Sequence, residues 1–254
     1  MSSARGQVMQ VVEFYSGIGG MHYALQESNI NAKILAAIDI NTVANNVYRH
    51  NFGNTPVWQR EIGKISLKEL QELNGDLYTM SPPCQPFTRL GKKADVNDAR
   101  TSSFLHVIDL LIKMENPPKY ILLENVKGFE TSAARNEFLL TPLQFGIPNS
   151  RLRRGYDGTS EFRPNVVKPD SQRSCCFTKS YFHYAEGTGS VLQITNPILH
   201  LKLRYFTPRE VANIHCFPVH FNFPENATKK QCYRLLGNSL NVHVASELLK
   251  LLIT

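Results

Sequence analysis

The chain has 254 residues, of which 42% are hydrophobic and 19% charged, so it can bury a substantial core and has the composition of an ordinary globular protein. No apolar run approaches the roughly 20 residues that a membrane helix needs, and the polar N-terminus lacks the apolar segment of a signal peptide. The five cysteines show no paired spacing, which argues against a disulfide framework and predicts residence in the cytoplasm, with the nucleus as the alternative.

The positive charge is confined to one part of the chain. Residues 1–150 contain 14 Lys and Arg against 14 Asp and Glu, whereas residues 151–254 contain 14 against 7, so the whole net charge of +7 comes from the C-terminal part. Such an asymmetry indicates either that a polyanion approaches this part or that it carries a solvated basic surface. Charge alone leaves both interpretations open.

The first 150 residues alternate apolar runs with helical patterns, which is typical of β-α-β units around a mostly parallel sheet. A helix near residue 102 is predicted from its apolar face and from Ser102 and Ser103, either of which can cap it. The predicted elements are, in chain order, strand 8–15, a helix ending at residue 27, strand 34–40, helix 42–50, strand 77–80, the helix after residue 102, strand 120–123 and strand 137–140.

After about residue 155 the alternation stops, and a stretch rich in Gly, Ser, Thr and Pro predicts a smaller domain of short strands and loops. Regular structure resumes with a helix from Pro208 and ends with an amphipathic helix after Asn241.

Two connections are short for this fold. Only ten residues separate Val126 from Glu137, which is the lower limit for a crossover between parallel strands, and no apolar strand follows Arg153. We hypothesise that segments are missing near residues 127–137, 154–160 and 193–200. An intact mass of 28.8 kDa for the native gene product would contradict this hypothesis.

A glycine-rich turn follows the first predicted strand. Residues 16–20 read Ser-Gly-Ile-Gly-Gly and lead into a helix, so backbone N–H groups and a helix N-terminus can approach a ligand closely. Asp39 ends the second strand 22 residues after Gly17, where it can bind ribose hydroxyls. His22 replaces the third glycine of dinucleotide-binding turns, so the turn alone indicates either a nucleotide-like ligand or merely close packing of strand and helix.

Cys84 lies in a proline-rich segment after the third clear strand. Residues 81–87 read Ser-Pro-Pro-Cys-Gln-Pro-Phe, and the three prolines stiffen the backbone around the thiol. Open α/β sheets place their ligands at the carboxyl ends of strands, so a thiol there is suited to nucleophilic attack. An arbitrary cysteine, by contrast, is more often a small hydrophobic residue of the core.

Two further polar motifs follow along the chain. Glu124 comes directly after strand 120–123 as either a structural acid or a general acid, and Arg151 with Arg153 suits recognition of a base or a phosphate. Each motif alone is typical of an ordinary protein surface. Their order, after the glycine turn and Cys84, predicts one common site.

These motifs resemble those of the cytosine-5 methyltransferase family over nearly the whole chain. The matching segments are residues 13–20, 82–87, 124–126, 151–153 and 237–240. Residues 103–106, 176–178 and 236–244 are similar to the branch that methylates aspartate tRNA, which was first classed with the DNA enzymes. The resemblance implies an α/β fold, with a Rossmann-like S-adenosylmethionine-dependent methyltransferase domain on a mostly parallel sheet and a small target-recognition domain.

The resemblance also implies the domain bounds and the cofactor site. The catalytic domain is expected to be discontinuous, over residues 1–154 and 229–254, with the target-recognition domain at residues 155–228. The expected cofactor is S-adenosylmethionine. Its expected binding residues are Ile18, Gly19 and Gly20 at the methionine moiety, Asp39 and Ile40 at the ribose, Ile62, Gly63 and Ser81 near the adenine, and Asn238 and Ser239 from the C-terminal segment.

The implied reaction is covalent catalysis on a cytosine. Addition of the Cys84 thiolate to C6 raises the electron density at C5, which then accepts the methyl group. Glu124 is expected to assist by protonating or hydrogen-bonding N3. Arg153 is expected to hold the carbonyl oxygen of the base. Arg151 is expected to support the loop that contains both arginines and an anion bound there.

The branch resemblance implies cytosine 38 in the anticodon loop of aspartate tRNA as the substrate. A base in a loop also leaves its stack at lower cost than one in a duplex. DNA methylation is the alternative with the same chemistry. Alternatives of other classes are a nucleic-acid-binding protein that has lost turnover and a thiol hydrolase, for which His106 is the nearest histidine in sequence to Cys84. We expect a monomer with no metal site and no membrane association.

Overall fold

The computed structural model of the protein describes residues 7–82, 99–124, 165–183, 188–194 and 202–253. The chain divides into two compact units, of which the first comprises Met1–Phe138 with Ser246–Thr254 and the second Leu139–Ala245. Within the described ranges no helix is both long enough and apolar enough to cross a membrane.

The first unit is built on a five-stranded sheet with the strand order β3-β2-β1-β4-β5, in which every pair of neighbouring strands is parallel. The predicted α/β architecture with a mostly parallel sheet is therefore confirmed. The elements of this unit are β1 (Met9–Phe14), α1 (Gly20–Glu27), β2 (Ala32–Asp39), α2 (Thr42–Asn51), β3 (Val57–Gln59), a 3-10 turn (Ile62–Lys64), α3 (Leu67–Leu73), β4 (Leu77–Met80), α4 (Ala99–Lys113) and β5 (Tyr120–Leu123).

The central strand β1 is buried on both faces. Val11 and Val12, whose side chains point to opposite faces, are both fully buried, as expected for a parallel strand that helices cover on both sides. Val12 and Phe14 pack in one cluster with Val107 of α4. Because the strands are parallel, the carboxyl ends of β1, β2, β4 and β5 meet at one edge of the sheet, where the chain leaves each strand for a loop.

Apart from the start of α4, the predicted bounds of the strands and helices described in the first unit agree with the structure within two residues, and those of β4 and β5 agree fully. The predicted caps of α4 are wrong. This helix begins at Ala99, because the residues before Ser102 also adopt helical structure, and both serines therefore lie inside the helix. The predicted strand 137–140 lies outside the described residues.

Two short elements, β3 and α3, are absent from the sequence prediction. At the start of α3 the Ser66 hydroxyl accepts a hydrogen bond from the Glu69 backbone N–H at 3.3 Å, and the Glu69 carboxylate accepts one from the Ser66 backbone N–H at 2.8 Å. This reciprocal cap has a Ser-x-x-Glu signature that could have revealed the helix. β3 has only three residues, too few to show a periodicity.

The second unit contains a small three-stranded sheet with the order β6-β7-β8, in which β6 is parallel and β8 antiparallel to β7. Its core is aromatic: Phe177, Tyr181 and Phe221 are almost fully buried, and the first two rings meet edge to face with centroids 4.9 Å apart. The elements are β6 (Asn165–Val167), β7 (Ser190–Gln193), β8 (Leu203–Tyr205), α5 (Pro208–Ile214) and α6 (Lys229–Leu236).

The helices near the C-terminus are mostly as predicted. α5 begins at Pro208, and the last helix, α7 (Val242–Ile253), begins directly after Asn241. Val242, Ala245 and Leu249 are buried on one face of α7. α6 was missed, although its cap, in which Thr228 and Gln231 bond reciprocally, has the same sequence signature as that of α3.

Candidate cofactor site at the edge of the parallel sheet

The glycine turn between β1 and α1 has a backbone that only glycine adopts easily. Gly17 has φ +54° and Gly19 has φ +85°, both in the left-handed region. Gly19 is also the N-cap residue of α1, and no side chain caps this helix end. Gly19 therefore supplies no side-chain acceptor to the first N–H groups of α1, an arrangement that suits a polar group of a ligand.

Gly19 is also fixed by packing. A Cβ atom at this position would overlap the ring of Phe52, within 3.0 Å of Cζ and closer still to Cε2. The Phe52 side chain is 7% exposed and stacks on the ring of His22, with centroids 3.7 Å apart and planes 8° apart. The close approach of turn and ring thus explains why the sequence needs glycine at this position.

Asp39 ties the glycine turn to the end of β2. Its Oδ2 accepts a hydrogen bond from the Gly17 N–H at 2.9 Å, and its Oδ1 accepts one from the Asn41 N–H at 2.8 Å. Burial raises the pKa of Asp39, and these backbone hydrogen bonds partly oppose that rise. Each carboxylate oxygen keeps a second lone pair, so Asp39 can hold the turn and still accept hydroxyl donors from a ligand.

The other predicted cofactor residues of the first unit differ in their surroundings. Ile40 is 64% exposed directly after β2 and offers an apolar surface beside Asp39. Ile62 is 5% exposed and belongs to the core. At Gly63 a Cβ would meet no atom closer than the Cα of Ser103 at 3.8 Å, so packing does not require glycine there. Ser81 follows β4 and is half-buried.

Tyr15 is a residue of this edge to which the sequence interpretation gave no role. It follows β1 with φ +55°, an uncommon conformation for a side-chain-bearing residue, and its hydroxyl forms a 2.9 Å hydrogen bond with Ser103 Oγ. Burial raises the pKa of Tyr15. Strained backbone is often found at functional sites, and the position directly before the glycine turn could have drawn attention to Tyr15.

The structure describes Glu124 but not its expected catalytic partners. The backbone N–H of Glu124 donates to the Met80 carbonyl oxygen at 2.9 Å, so Glu124 lies at the same sheet edge as Ser81. Its side chain is half-buried. Cys84, Arg151 and Arg153 lie outside the described residues, and their roles stay predictions from the sequence.

Asn238 and Ser239 lie in the second unit, directly after α6. Their N–H groups donate to the carbonyl oxygens of the last turn of α6, at 3.2 and 3.0 Å. The preceding Gly237 is required by packing, because a Cβ there would overlap the backbone of Thr178 and Lys179. Two segments that carry the family resemblance, residues 176–178 and 237–240, are thus packed against each other.

The surroundings of His106 weaken the alternative of a thiol hydrolase. His106 Nε2 lies 2.7 Å from the carbonyl oxygen of Ile65, and since a carbonyl only accepts, Nε2 carries the proton in this bond. His106 is therefore poorly suited to act as a base through that nitrogen. In the described part of the chain no group of three or more His, Cys, Asp or Glu side chains could hold a metal ion.

Comparisons with known proteins identify similar sequences and structures along most of the chain. The model of the C-5 cytosine-specific DNA methylase family matches residues 9–144 and 165–254. The tRNA (cytosine(38)-C(5))-methyltransferases of Spodoptera frugiperda and Homo sapiens are 42% and 37% identical, each over 96% of this chain and 98% or 99% of the relative. The structure of the Schizosaccharomyces pombe Dnmt2 methyltransferase is similar with a TM-score of 0.84 and 35% identity, over 97% of this chain and 98% of the other.

The comparisons also bear on the missing segments and on the two arginines. The alignment with the Spodoptera relative extends over 328 positions, more than the 254 residues of this chain, so the relative contains internal segments that this chain lacks. The family model leaves residues 145–164 unmatched, and Arg151 and Arg153 fall in this stretch. The agreement over the rest is nevertheless extensive, and this chain belongs to the C-5 cytosine-specific DNA methylase family.

Proposed function

We propose that this protein methylates C5 of a cytosine in tRNA and that its target is cytosine 38 of aspartate tRNA. The observation that carries the proposal is the similarity to tRNA (cytosine(38)-C(5))-methyltransferases along almost the full length of both chains. S-adenosylmethionine is the methyl donor of this family and supplies, when bound, a methyl group on a positively charged sulfur.

The residues around the glycine turn fit this cofactor. Asp39 offers carboxylate oxygens for ribose hydroxyls while it holds the turn, and exposed Ile40 lies beside it at the proposed ribose position. The Ser16 hydroxyl oxygen is buried and has no hydrogen-bond partner within the described residues, so it can bind a polar ligand atom without breaking an existing bond. Ile18, Gly19 and Gly20 would line the methionine moiety, Ile62, Gly63 and Ser81 the adenine, and Asn238 and Ser239 complete the proposed set.

The reaction on the target base would use Cys84, Glu124, Arg151 and Arg153. The Cys84 sulfur forms a bond to C6, and Glu124 holds a proton at N3, so that negative charge does not accumulate on the ring as C5 becomes nucleophilic. Arg153 binds the carbonyl oxygen of the base and Arg151 supports its loop. After methylation, loss of the C5 proton restores the double bond and releases the Cys84 thiolate.

The proposal favours tRNA over duplex DNA for a physical reason besides similarity. A base must leave its stack to reach the Cys84 thiol, and this step costs a few kcal/mol in a duplex but less in a loop. The excess of basic residues in positions 151–254 suits either polyanion.

The test is methyl transfer from radiolabelled S-adenosylmethionine to total tRNA and to duplex DNA in parallel. We expect label in tRNA, and we expect an aspartate tRNA transcript with uracil at position 38 to remain unlabelled. Label in DNA alone would overturn the substrate but keep the chemistry. Label in neither would favour a binding protein without turnover.

Replacing Asp39 with alanine should weaken binding of S-adenosylmethionine at least tenfold, which corresponds to about 1.4 kcal/mol. The reason is that the turn loses its anchor at Gly17 and the ligand loses a carboxylate acceptor. Isothermal titration calorimetry measures the affinity.

Asp76→Ala is the matched control, because Asp76 also accepts a hydrogen bond from a backbone N–H of β1, that of Gln10 at 2.9 Å, but at the opposite end of the strand. Equal losses of affinity in both variants would show that Asp39 acts through general stability only.

We also infer a catalytic domain of residues 1–154 and 229–254 with a target-recognition domain of residues 155–228, a monomeric protein, and residence in the cytoplasm or nucleus. Their support is the family resemblance for the domains and the cysteine pattern for the compartment.

A further inference from the structure

A buried polar chain of three side chains runs beneath the glycine turn. The Tyr48 hydroxyl of α2 lies 2.7 Å from Glu13 Oε2 on β1 and 2.8 Å from His22 Nδ1 on α1. Glu13 and Tyr48 are fully buried, whereas His22 is only half-buried. His22 is therefore the member of this chain that solvent reaches.

Because the Tyr48 hydroxyl has a single proton, it couples the protonation of Glu13 to the tautomer of His22. When Glu13 is ionised, Tyr48 donates to Oε2, so His22 must donate to the Tyr48 oxygen from a protonated Nδ1. When Glu13 carries a proton on Oε2, it donates to Tyr48, which then donates to an unprotonated Nδ1 of His22. The neutral His22 ring carries its proton on Nε2 in this second state.

The surroundings of Glu13 place the added proton on Oε2. Glu13 Oε1 is buried and has no hydrogen-bond partner among the described residues, so a proton on Oε1 would be buried without an acceptor. A proton on Oε2 faces the Tyr48 oxygen. The same lack of a partner for Oε1 disfavours the ionised carboxylate.

Burial raises the pKa of Glu13 to about 8. The hydrogen bond from Tyr48 and the backbone N–H of His22 oppose this rise, whereas the negative charge of Asp39 on β2 adds to it. Burial lowers the pKa of His22 to about 4, so this ring stays neutral while Glu13 titrates. Burial and Glu13 raise the pKa of Tyr48 far above its usual value, with a smaller contribution from Tyr23. From β4 the neighbour of Glu13 is Thr79, which does not ionise.

We propose that Glu13, Tyr48 and His22 form a proton relay behind the cofactor turn, in which uptake of one proton by Glu13 reverses both hydrogen bonds and moves the His22 proton from Nδ1 to Nε2. The proton enters from solvent at His22 Nε2, the Nδ1 proton passes to Tyr48, and the Tyr48 proton passes to Glu13. The relay gains one proton in total, which ends on Glu13. Tyr48 and His22 each keep the number of protons that they had.

His22 is a positioning residue in this relay, and this part of the inference rests on the proposed cofactor site. Its ring is held by Tyr48 on one side and stacks on Phe52 on the other, and the Phe52 ring fills the space that a side chain at Gly19 would occupy. Tyr48 thereby fixes the His22 ring and, through Phe52, the turn.

Nitrogen-15 NMR of the histidine rings tests the relay without cofactor or tRNA, with His22 assigned from a His22→Gln variant. In the wild-type protein we expect the His22 proton to move from Nε2 to Nδ1 as the pH rises, with a midpoint near 8. Glu13→Gln should keep the proton on Nε2 at every pH, because the amide nitrogen can replace the carboxylic O–H as donor to Tyr48. A wild-type tautomer that does not change between pH 6 and about 10 would overturn the relay.

The positioning role is tested by the affinity for S-adenosylmethionine at pH 7. Tyr48→Phe breaks the chain in its middle and should weaken binding several-fold. The matched control is Tyr23→Phe, which removes another tyrosine hydroxyl, 3.1 Å from Asn51 Oδ1, and leaves the relay intact. Equal losses in both Tyr→Phe variants would overturn the positioning role. Absence of cofactor binding in the wild type would refute the proposed function and leave the tautomer result standing.

Discussion

Replacing Cys84 with alanine should reduce methyl transfer to tRNA to no more than a few per cent of the wild-type rate while the protein still binds S-adenosylmethionine. The reaction needs a bond between the thiolate and C6 of the base, because C5 of cytosine is otherwise a poor nucleophile, and alanine cannot form this bond. The cofactor, in contrast, is proposed to bind at the turn after β1 and at Asp39. Transfer of labelled methyl groups and calorimetric cofactor binding measure the two effects separately.

Cys175→Ala provides the control, because it also removes one free thiol but from the second unit, where Cys175 is half-buried. This variant should keep its activity. Residual transfer by Cys84→Ala above a few per cent, or an equal loss in both variants, would contradict the assignment of the nucleophile.

Gly19→Ala should both destabilise the protein and weaken cofactor binding by tenfold or more. An alanine at φ +85° costs roughly 1–2 kcal/mol, and its Cβ would in addition overlap the ring of Phe52. The turn must shift to relieve this overlap, and the shift displaces the N-terminus of α1. Chemical denaturation measures the free energy of unfolding, and calorimetry measures the affinity.

The matched glycine is Gly53, the residue after Phe52. A Cβ at Gly53 would meet only the Arg49 carbonyl oxygen, at 4.0 Å, so Gly53→Ala should leave stability nearly unchanged. If Gly19→Ala bound the cofactor as well as Gly53→Ala does, the turn would not be the site that the proposed function requires.

The fold of the first unit is predictable from the sequence wherever burial gives a strand or helix a regular pattern of apolar residues. The strands over residues 77–80 and 120–123 are short apolar runs with clear ends, and their predicted bounds agree with the structure. The start of α4 is not set by such a pattern. Ala99 and its successors have no strong stop signal before Ser102, so the helix continues toward the N-terminus beyond the serines that could have capped it.

Short elements depend on local bonds that a search for periodicity overlooks. The caps of α3 and α6 are examples, since each consists of a hydroxyl and an acidic or amide side chain three residues apart.

The site was predictable where the sequence itself shows a constraint. Gly17 and Gly19 form the tight turn as expected, whereas Asp39, which was expected to bind ribose hydroxyls, also anchors the turn through the Gly17 N–H. The long-range contacts could not be read from local sequence: Tyr15 reaches Ser103, which is 88 residues away, and Tyr48 reaches Glu13 and His22 from a different helix. Glu13 is an acidic residue in an otherwise largely apolar strand, but its partners depend on how α1 and α2 pack.

The first unit takes its last segment, Ser246–Thr254, from the far end of the chain. A ribosome delivers residues in order, so β1, α1 and β2 can associate early, whereas Ser246 and Leu249, which are fully buried, arrive only after the whole second unit has been made. Until these residues are synthesised, part of the apolar surface of the nascent first unit is therefore exposed. Holding chaperones would be expected to bind it during this interval, and a premature stop codon late in the gene would damage the half of the protein that was translated first.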